Sequence, residues 1–189
     1  SSAYPLKEFG FHSVLGAHYV IEAMRYAYAD RNTYLGDPAF IKIPIDRLLS
    51  EEYTKHINSQ ISADKASDSA KLGFFAKTGE KHNTTGYVVA DQYGNAVSVT
   101  FTINGYFGAK VIPGNTGFFL NNQIDDFTIK PDVPNSYGLI QGNANLLQPG
   151  KRPLSSMSPT IVMHGKNVFM LLSTPGGSTI PTQIAQIIQ

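Results

Sequence analysis

The residues Asn83-Thr84-Thr85 offer chemistry before anything else in the chain does. A threonine hydroxyl is a weak nucleophile unless a base stands beside it. A threonine that becomes a chain N-terminus carries its own base, an α-amino group whose ordinary pKa is about 7.7–8.0. Cleavage between Asn83 and Thr84 would therefore create a nucleophile that needs no histidine. The plainer reading is a loop threonine leading into a strand, and spacing alone leaves both open. The same string matches a glycosylation sequon, set aside as a chance match.

Further polar groups sit at the ends of expected elements. Thr102 and Asn104 share one face where a strand closes. Asn121-Asn122-Gln123-Ile124-Asp125-Asp126 gathers amides and carboxylates after the apolar Phe118-Phe119-Leu120. Leu154-Ser155-Ser156-Met157-Ser158-Pro159 places hydroxyls just ahead of a strand. Pro175-Gly176-Gly177-Ser178 places backbone N–H groups ahead of a helix, where an anion or oxyanion is favoured. Each is explicable as turn chemistry. Together they supply acceptors for an ammonium, hydroxyl donors for a carboxylate and an oxyanion hole, which suits an amino-acid-like acyl group.

Other chemistries lack support. The histidines are His12, His18, His56, His82 and His164, with no paired metal-ligand spacing, so no metal site is expected. His18 reads as a structural residue on a helix. Gly150-Lys151-Arg152 lacks the glycine spacing of a P-loop, and Gly105-Tyr106-Phe107-Gly108 lacks a dinucleotide fingerprint.

The elements that must position these groups divide the chain in two. Residues 1–62 read as helical. Ser13 is placed to cap a helix through about Asp30, with Val14, Ala17, Ile21, Met24 and Tyr28 spaced to form a core face. Gly36-Asp37-Pro38 ends this part. A second helix starts near Ser50, turns Tyr53 and Ile57 inward, and stops before Ala63. Residues 63–83 are small, polar and unpatterned, and read as flexible and exposed. From Thr84 the period becomes two. Residues 84–90 and 96–104 form one hairpin about Asp91–Asn95, and 159–164 and 167–173 a second about Gly165-Lys166. Residues 105–158 are mostly loop. A last helix follows Ser178, with Ile180, Ile184, Ile187 and Ile188 as its apolar face.

Composition closes off several classes. Of the 189 residues, 42% are hydrophobic, enough for a real core. Lys and Arg number 15 against 14 Asp and Glu, a net charge of +1, so a nucleic-acid partner is not expected. No apolar run approaches the roughly 20 residues of a membrane span. The absence of cysteine excludes disulfides, thiolate zinc and a cysteine nucleophile. Gly (17) and Pro (11) concentrate after residue 72, as in strands joined by shaped loops. Ser1 is not an initiator Met and Gln189 falls within an expected helix, so both ends read as cut from a longer protein.

The segment from Asn83 to Ile180 resembles γ-glutamyltranspeptidase, an N-terminal-nucleophile hydrolase. The resemblance rests on Thr84-Thr85-Gly86-Tyr87-Val88-Val89, on Asp91–Asn95 with Val97-Ser98-Val99-Thr100, and on Leu120-Asn121-Asn122-Gln123-Ile124-Asp125-Asp126-Phe127. It continues through Pro134-Asn135-Ser136-Tyr137-Gly138-Leu139, the highly specific run Lys151–Thr160, and Pro175-Gly176-Gly177-Ser178. Upstream, Tyr26–Arg31 and Tyr34–Pro38 resemble the end of the family's large subunit. Residues 63–80 are the least characteristic.

The resemblance implies an α+β fold, the four-layer αββα sandwich, incomplete over this segment. Residues 1–83 then correspond to the end of the large subunit and 84–189 to the start of the small subunit. Autocatalytic cleavage after Asn83 frees Thr84, which takes the γ-glutamyl group from glutathione-like amides. Water, or an acceptor amino acid or peptide, receives it. Thr102 matches the family's second threonine, which supports the nucleophile. Asn104, Gln123 and Asp126 match residues that hold the substrate α-amino group, and Ser155 and Ser156 those that hold its α-carboxylate. Gly176 and Gly177 match the oxyanion-hole glycines, and Tyr137 a loop that lids the pocket in many bacterial members. No metal or organic cofactor is implied. The family's habit is periplasmic or secreted, and the further partners are the remaining large- and small-subunit segments, including an arginine for the α-carboxylate. Gly86 departs from the His of many members, and Thr179 from the Arg that commonly follows Gly-Gly-Ser. Two alternatives accompany this reading: an amidase or acylase on glutaryl or poly-γ-glutamate substrates, and an unprocessed homologue without activity.

Overall fold

The computed structural model of the chain describes residues 4–10, 13–72, 83–131 and 133–189. It is mixed helix and strand, and it separates into two compact units. One comprises Ser1–Lys77, Thr128–Pro134 and Leu139–Arg152; the other comprises Thr78–Phe127, Asn135–Gly138 and Pro153–Gln189.

The first unit is built on α2 (Val14–Tyr34), preceded by the short α1 (Leu6–Phe9). Ser13 caps α2 in extended backbone, its Oγ accepting the Gly16 N–H at 3.1 Å. The helix runs four residues past Asp30 and ends at Tyr34, where Leu35 returns to extended backbone. After α3 (Ile45–Leu48), Ser50 caps α4 (Glu51–Gln60) in the same way, its Oγ accepting the Tyr53 N–H at 3.1 Å. Glu51 and Glu52 complement the dipole of that first turn. The short α5 (Ser69–Leu72) follows.

The expected core face of α2 is a correction. Val14 is 90% and Ile21 56% exposed, and Ala17 is exposed too, whereas Glu22 is 1% exposed. A polar face is buried because it holds the chain that crosses it. Glu22 pairs with Arg25 and accepts the Ser67 amide at 3.0 Å, while His18 Nε2 meets the Ser62 carbonyl at 2.7 Å. Burial pushes the Glu22 carboxyl up, but the hydrogen bonds from Ser67 and the Arg25 charge outweigh it and hold it below its ordinary value. His18 is thus structural, as expected. Residues 63–72 are largely exposed, yet they are tied to α2 at Ser67 rather than unattached. Residues 73–82 of the stretch expected to be flexible, with His12 and His82, lie outside the described residues.

Aromatic and cationic groups bind α2 to its neighbours. The Tyr4 and Tyr19 rings stack at 4.1 Å. Arg47 lies over the Tyr34 and Tyr53 rings at 4.9 and 5.1 Å, and the Tyr53 hydroxyl donates to Asp30 at 2.8 Å. Burial and the adjacent Asp30 carboxylate push the Tyr53 hydroxyl up to about 12.

Segments from later in the chain complete this unit. Gly36 packs so closely on residue 144 that a Cβ there would lie 2.3 Å from the Ala144 carbonyl oxygen. Buried Lys151 donates to that same oxygen at 2.9 Å. Asp37, also buried, accepts the Arg152 backbone N–H and both arms of its guanidinium, with Nη2 at 2.7 Å from Oδ1. Arg152 holds the Asp37 carboxyl well below the usual carboxylate range.

Among the described residues the second unit holds four strands in two two-stranded antiparallel sheets. Strands β1 (Thr84–Ala90) and β2 (Ala96–Thr102) form the first hairpin. Its turn is shaped by Asp91, whose Oδ1 accepts the Tyr93 and Asn95 amides, both at 2.9 Å. Strands β3 (Thr160–His164) and β4 (Asn167–Leu172) form the second, with an irregularity between Val162 and Met163. β2 ends two residues short of Asn104 because Asn104 turns to φ 74°. Beyond β4, α6 (Ile180–Ile188) buries Ile180 and Ile184 but leaves Ile187 and Ile188 exposed. No described helix is long and apolar enough to cross a membrane.

Candidate active site

The hairpin pairs Thr84 directly with Thr102, the first residue of β1 against the last of β2. The Thr102 hydroxyl donates toward the Asn83 carbonyl oxygen at 3.4 Å. This carbonyl belongs to the peptide bond that joins Asn83 to Thr84. The same hydroxyl accepts the Asn104 N–H at 3.0 Å. One threonine therefore connects the candidate scissile bond to the next candidate residue.

Asn104 is 3% exposed and sits in left-handed backbone, which asparagine tolerates better than most residues. Its Nδ2 donates to the Asn122 carbonyl at 3.2 Å, and its Oδ1 accepts the Tyr137 hydroxyl. Asn122 also accepts through its side chain, its Oδ1 taking the Gly105 N–H at 2.7 Å. The Asn104 side chain is thus engaged with both Tyr137 and Asn122. The turn that follows, a 3-10 helix over Gln123–Asp126, carries Gln123 and Asp126, both half-buried. Asn121 Oδ1 accepts the Gln123 N–H at 3.0 Å in an Asx turn that leads into it.

The second hairpin joins the first through hydroxyls. Ser98 Oγ donates to the Leu172 carbonyl at 2.6 Å. Ser173 Oγ donates to the Val99 carbonyl at 2.6 Å and lies 2.9 Å from Thr100 Oγ1. Gly86 faces the same serine, where an added Cβ would be 2.5 Å from Ser173 Oγ. Three residues beyond Ser173 the chain reaches Gly176 and Gly177, with φ of 151° and 53°. The φ of 151° at Gly176 favours glycine, and the space a Cβ would take there is held by two side-chain ends, Gln183 Nε2 at 2.4 Å and Thr179 Oγ1 at 2.9 Å. Thr179 donates its hydroxyl to the Gly176 carbonyl at 2.7 Å and accepts from Gln183 Nε2 at 2.8 Å.

Asn83, Thr102, Asn104, Asn122 and Tyr137 thus form one connected set beside Thr84. Ser155 stands outside it: it is exposed, and its hydroxyl accepts the Met157 amide at 3.1 Å. Ser156 is half-buried in the same stretch before β3, its carbonyl accepting the Ser158 hydroxyl at 3.1 Å. Sequence reasoning passed over Asn122 within its polar string, and Ser173 carried no signal. Among the described residues no group of His, Asp or Glu is placed to hold a metal.

A model of the γ-glutamyltranspeptidase family matches residues 2–189. The glutathione hydrolase proenzyme of Pseudomonas sp. (strain A14) is 54% identical over 179 residues, covering 95% of this chain and 31% of its own length. That of Escherichia coli (strain K12) is 46% identical over 187 residues, 98% of this chain and 32% of its own. This chain therefore spans about a third of the length of these curated relatives. Among solved structures, an acivicin-inhibited γ-glutamyltranspeptidase, described for the roles of its C-terminus in autoprocessing and catalysis, is similar at 55% identity. Its TM-score is 0.54 over 55% of each chain. With the family model matching nearly end to end and these relatives covering almost the whole chain, the chain belongs to the γ-glutamyltranspeptidase family.

Proposed function

We propose that this chain carries the nucleophile of a γ-glutamyl transferase and hydrolase that matures by cutting itself before Thr84. The observation that carries the reading is the Thr102 hydroxyl, directed at the Asn83 carbonyl oxygen from directly across the hairpin. Hydrogen bonding there withdraws charge from the carbonyl and favours attack by the Thr84 hydroxyl. The Asn83 acyl group moves from the Thr84 nitrogen to its oxygen, and water hydrolyses the resulting ester. Asn83 is released as a carboxylate and Thr84 keeps a free α-amine.

In the matured protein that amine accepts the Thr84 hydroxyl proton as the oxygen attacks a γ-glutamyl amide. The N–H groups of Gly176 and Gly177 receive the developing oxyanion. The tetrahedral adduct collapses, the protonated amine leaves, and a γ-glutamyl ester remains on Thr84. Water or an acceptor amine resolves it. Asn104, Gln123 and Asp126 take the substrate ammonium, Ser155 and Ser156 its α-carboxylate, and Tyr137 lids the pocket. Glutathione and other γ-glutamyl compounds are the donors, and amino acids or peptides the acceptors. The fold is the αββα sandwich, completed by the other segments of the protein. Residues 1–83 end the large subunit and 84–189 begin the small one, in a periplasmic or secreted enzyme.

The test is the intact mass, under denaturing conditions, of the full-length protein and its Thr84→Ala variant. Two fragments with a new N-terminus at Thr84, absent in the variant, are expected, followed by turnover of γ-glutamyl amides faster than glutaryl ones. An uncut wild type would remove the central step. Faster glutaryl turnover would overturn the assigned ammonium contacts.

A further inference from the structure

We infer that Asp125, the neighbour of the proposed ammonium ligand Asp126, is a positioning residue that fixes Tyr137 over Asn104. Only its kinetic consequence rests on the γ-glutamyl reading. Residues Asn135–Gly138 form a tight turn: Gly138 donates to the Asn135 carbonyl at 2.9 Å, and Asn135 Oδ1 accepts the Tyr137 N–H at 3.0 Å. The turn is held at both ends. At one end the Tyr137 hydroxyl donates to Asn104 Oδ1. At the other, the Asp125 carboxylate accepts the Ser136 N–H, 3.1 Å from Oδ2 and 3.4 Å from Oδ1, together with the Ser136 hydroxyl. The Asp125 carbonyl accepts Asn135 Nδ2 at 3.5 Å.

Hydrogen bonds to an ionised carboxylate are about twice as strong as neutral ones. The carboxylate grips the backbone amide of the residue next to Tyr137, so it sets where the phenol falls whatever the side chain at 136. Ser136 adds a hydroxyl to the grip. Of the two adjacent carboxylates on this 3-10 turn, it is Asp125 that takes the lid turn. Releasing the turn lowers the fraction of protein able to close on substrate, and apparent affinity falls with that fraction. The reacting atoms on Thr84 are untouched.

Hydrogen exchange of the full-length protein, read over residues 133–140, tests the latch without any substrate. Asp125→Ala is expected to raise exchange there about tenfold, and Ser136→Ala to raise it less, in line with the lost hydrogen bonds. With a γ-glutamyl anilide, Asp125→Ala is expected to raise KM about tenfold while kcat stays within about twofold. In a Tyr137→Phe background its further effect on KM should be under about twofold, because the tether it serves has already gone. Unchanged exchange, or KM effects that simply add, would overturn the inference. If Asp125→Ala fails to accumulate, Asp125→Asn, which keeps the shape and loses the charge, carries the same two readouts. A wild type without γ-glutamyl turnover refutes the proposed function, while the exchange measurement still decides the latch.

Discussion

Replacing Gly86 by alanine would put a methyl group into space already held by Ser173. Its Cβ would lie 2.5 Å from Ser173 Oγ, 2.9 Å from the Thr174 nitrogen and 3.0 Å from the Ser173 carbonyl carbon, where ordinary contact begins at 3.4 Å. The nearest pair must part by about 0.9 Å, the difference between those distances. Ser173 can relieve only its own contact, and only by giving up its 2.6 Å bond to the Val99 carbonyl. Overpacking of this kind costs about 1–3 kcal/mol and a lost hydrogen bond about 1, so a loss of roughly 2–4 kcal/mol is expected. At an open strand position the same change would stabilise by about 0.5–1 kcal/mol, so the sign itself discriminates. The assay is urea unfolding of the full-length protein in a Thr84→Ala background, which keeps the chain in one piece. Adding Ser173→Ala removes the 2.5 Å contact but leaves the two backbone ones. The double change should therefore fall short of additive by about 1 kcal/mol. A single variant within about 0.5 kcal/mol of its parent, or strict additivity, would refute the packing argument.

Asn104→Ala places a Cβ-bearing residue with no left-handed preference at φ 74° and strips two side-chain bonds, so urea unfolding should show a loss of about 2–4 kcal/mol. Asn104→Gly loses the bonds without the strain and should lose less. The Tyr53 hydroxyl is raised to about 12 in the fold, so its contribution is complete below the unfolded phenol value of about 10 and lost as pH climbs from there to about 12. Tyr53→Phe should narrow its stability gap to wild type across that interval. Asp37 is the opposite case. Its depressed carboxyl contributes fully above the unfolded value of about 4 and fades as pH falls below it, so the penalty of Asp37→Asn should shrink in acid and stay constant at neutral pH.

Local signals were legible where they are local in origin. Ser13 and Ser50 announced their helices because capping is decided within three residues. The Asp91–Asn95 turn set both arms of the first hairpin. Val14 and Ile21 misled because periodicity reports which side chains are apolar, not which face a later segment covers. Glu22 is buried by Ser67, 45 residues away. Thr102 and Asn104 were readable as two polar residues on one face, but their link to Tyr137 spans 33 residues and no short motif reports it. Ser173 was silent for the same reason: a serine just past the end of a strand is common, and only its bond to Val99, 74 positions back, gives it meaning.

The first hairpin also acts as a ruler. Seven residues lie on each arm, so the Asp91–Asn95 turn stands about 20 Å from Thr84 at about 3.3 Å per residue. That remote turn nevertheless decides what Thr84 faces, because antiparallel pairing is counted outward from it. Deleting one turn residue and letting the arms re-pair would slide Thr84 away from Thr102 and reverse the face on which its hydroxyl emerges. The distance measured out by Asp91 and Gly94 is thus part of what places Thr84, although neither residue comes near it.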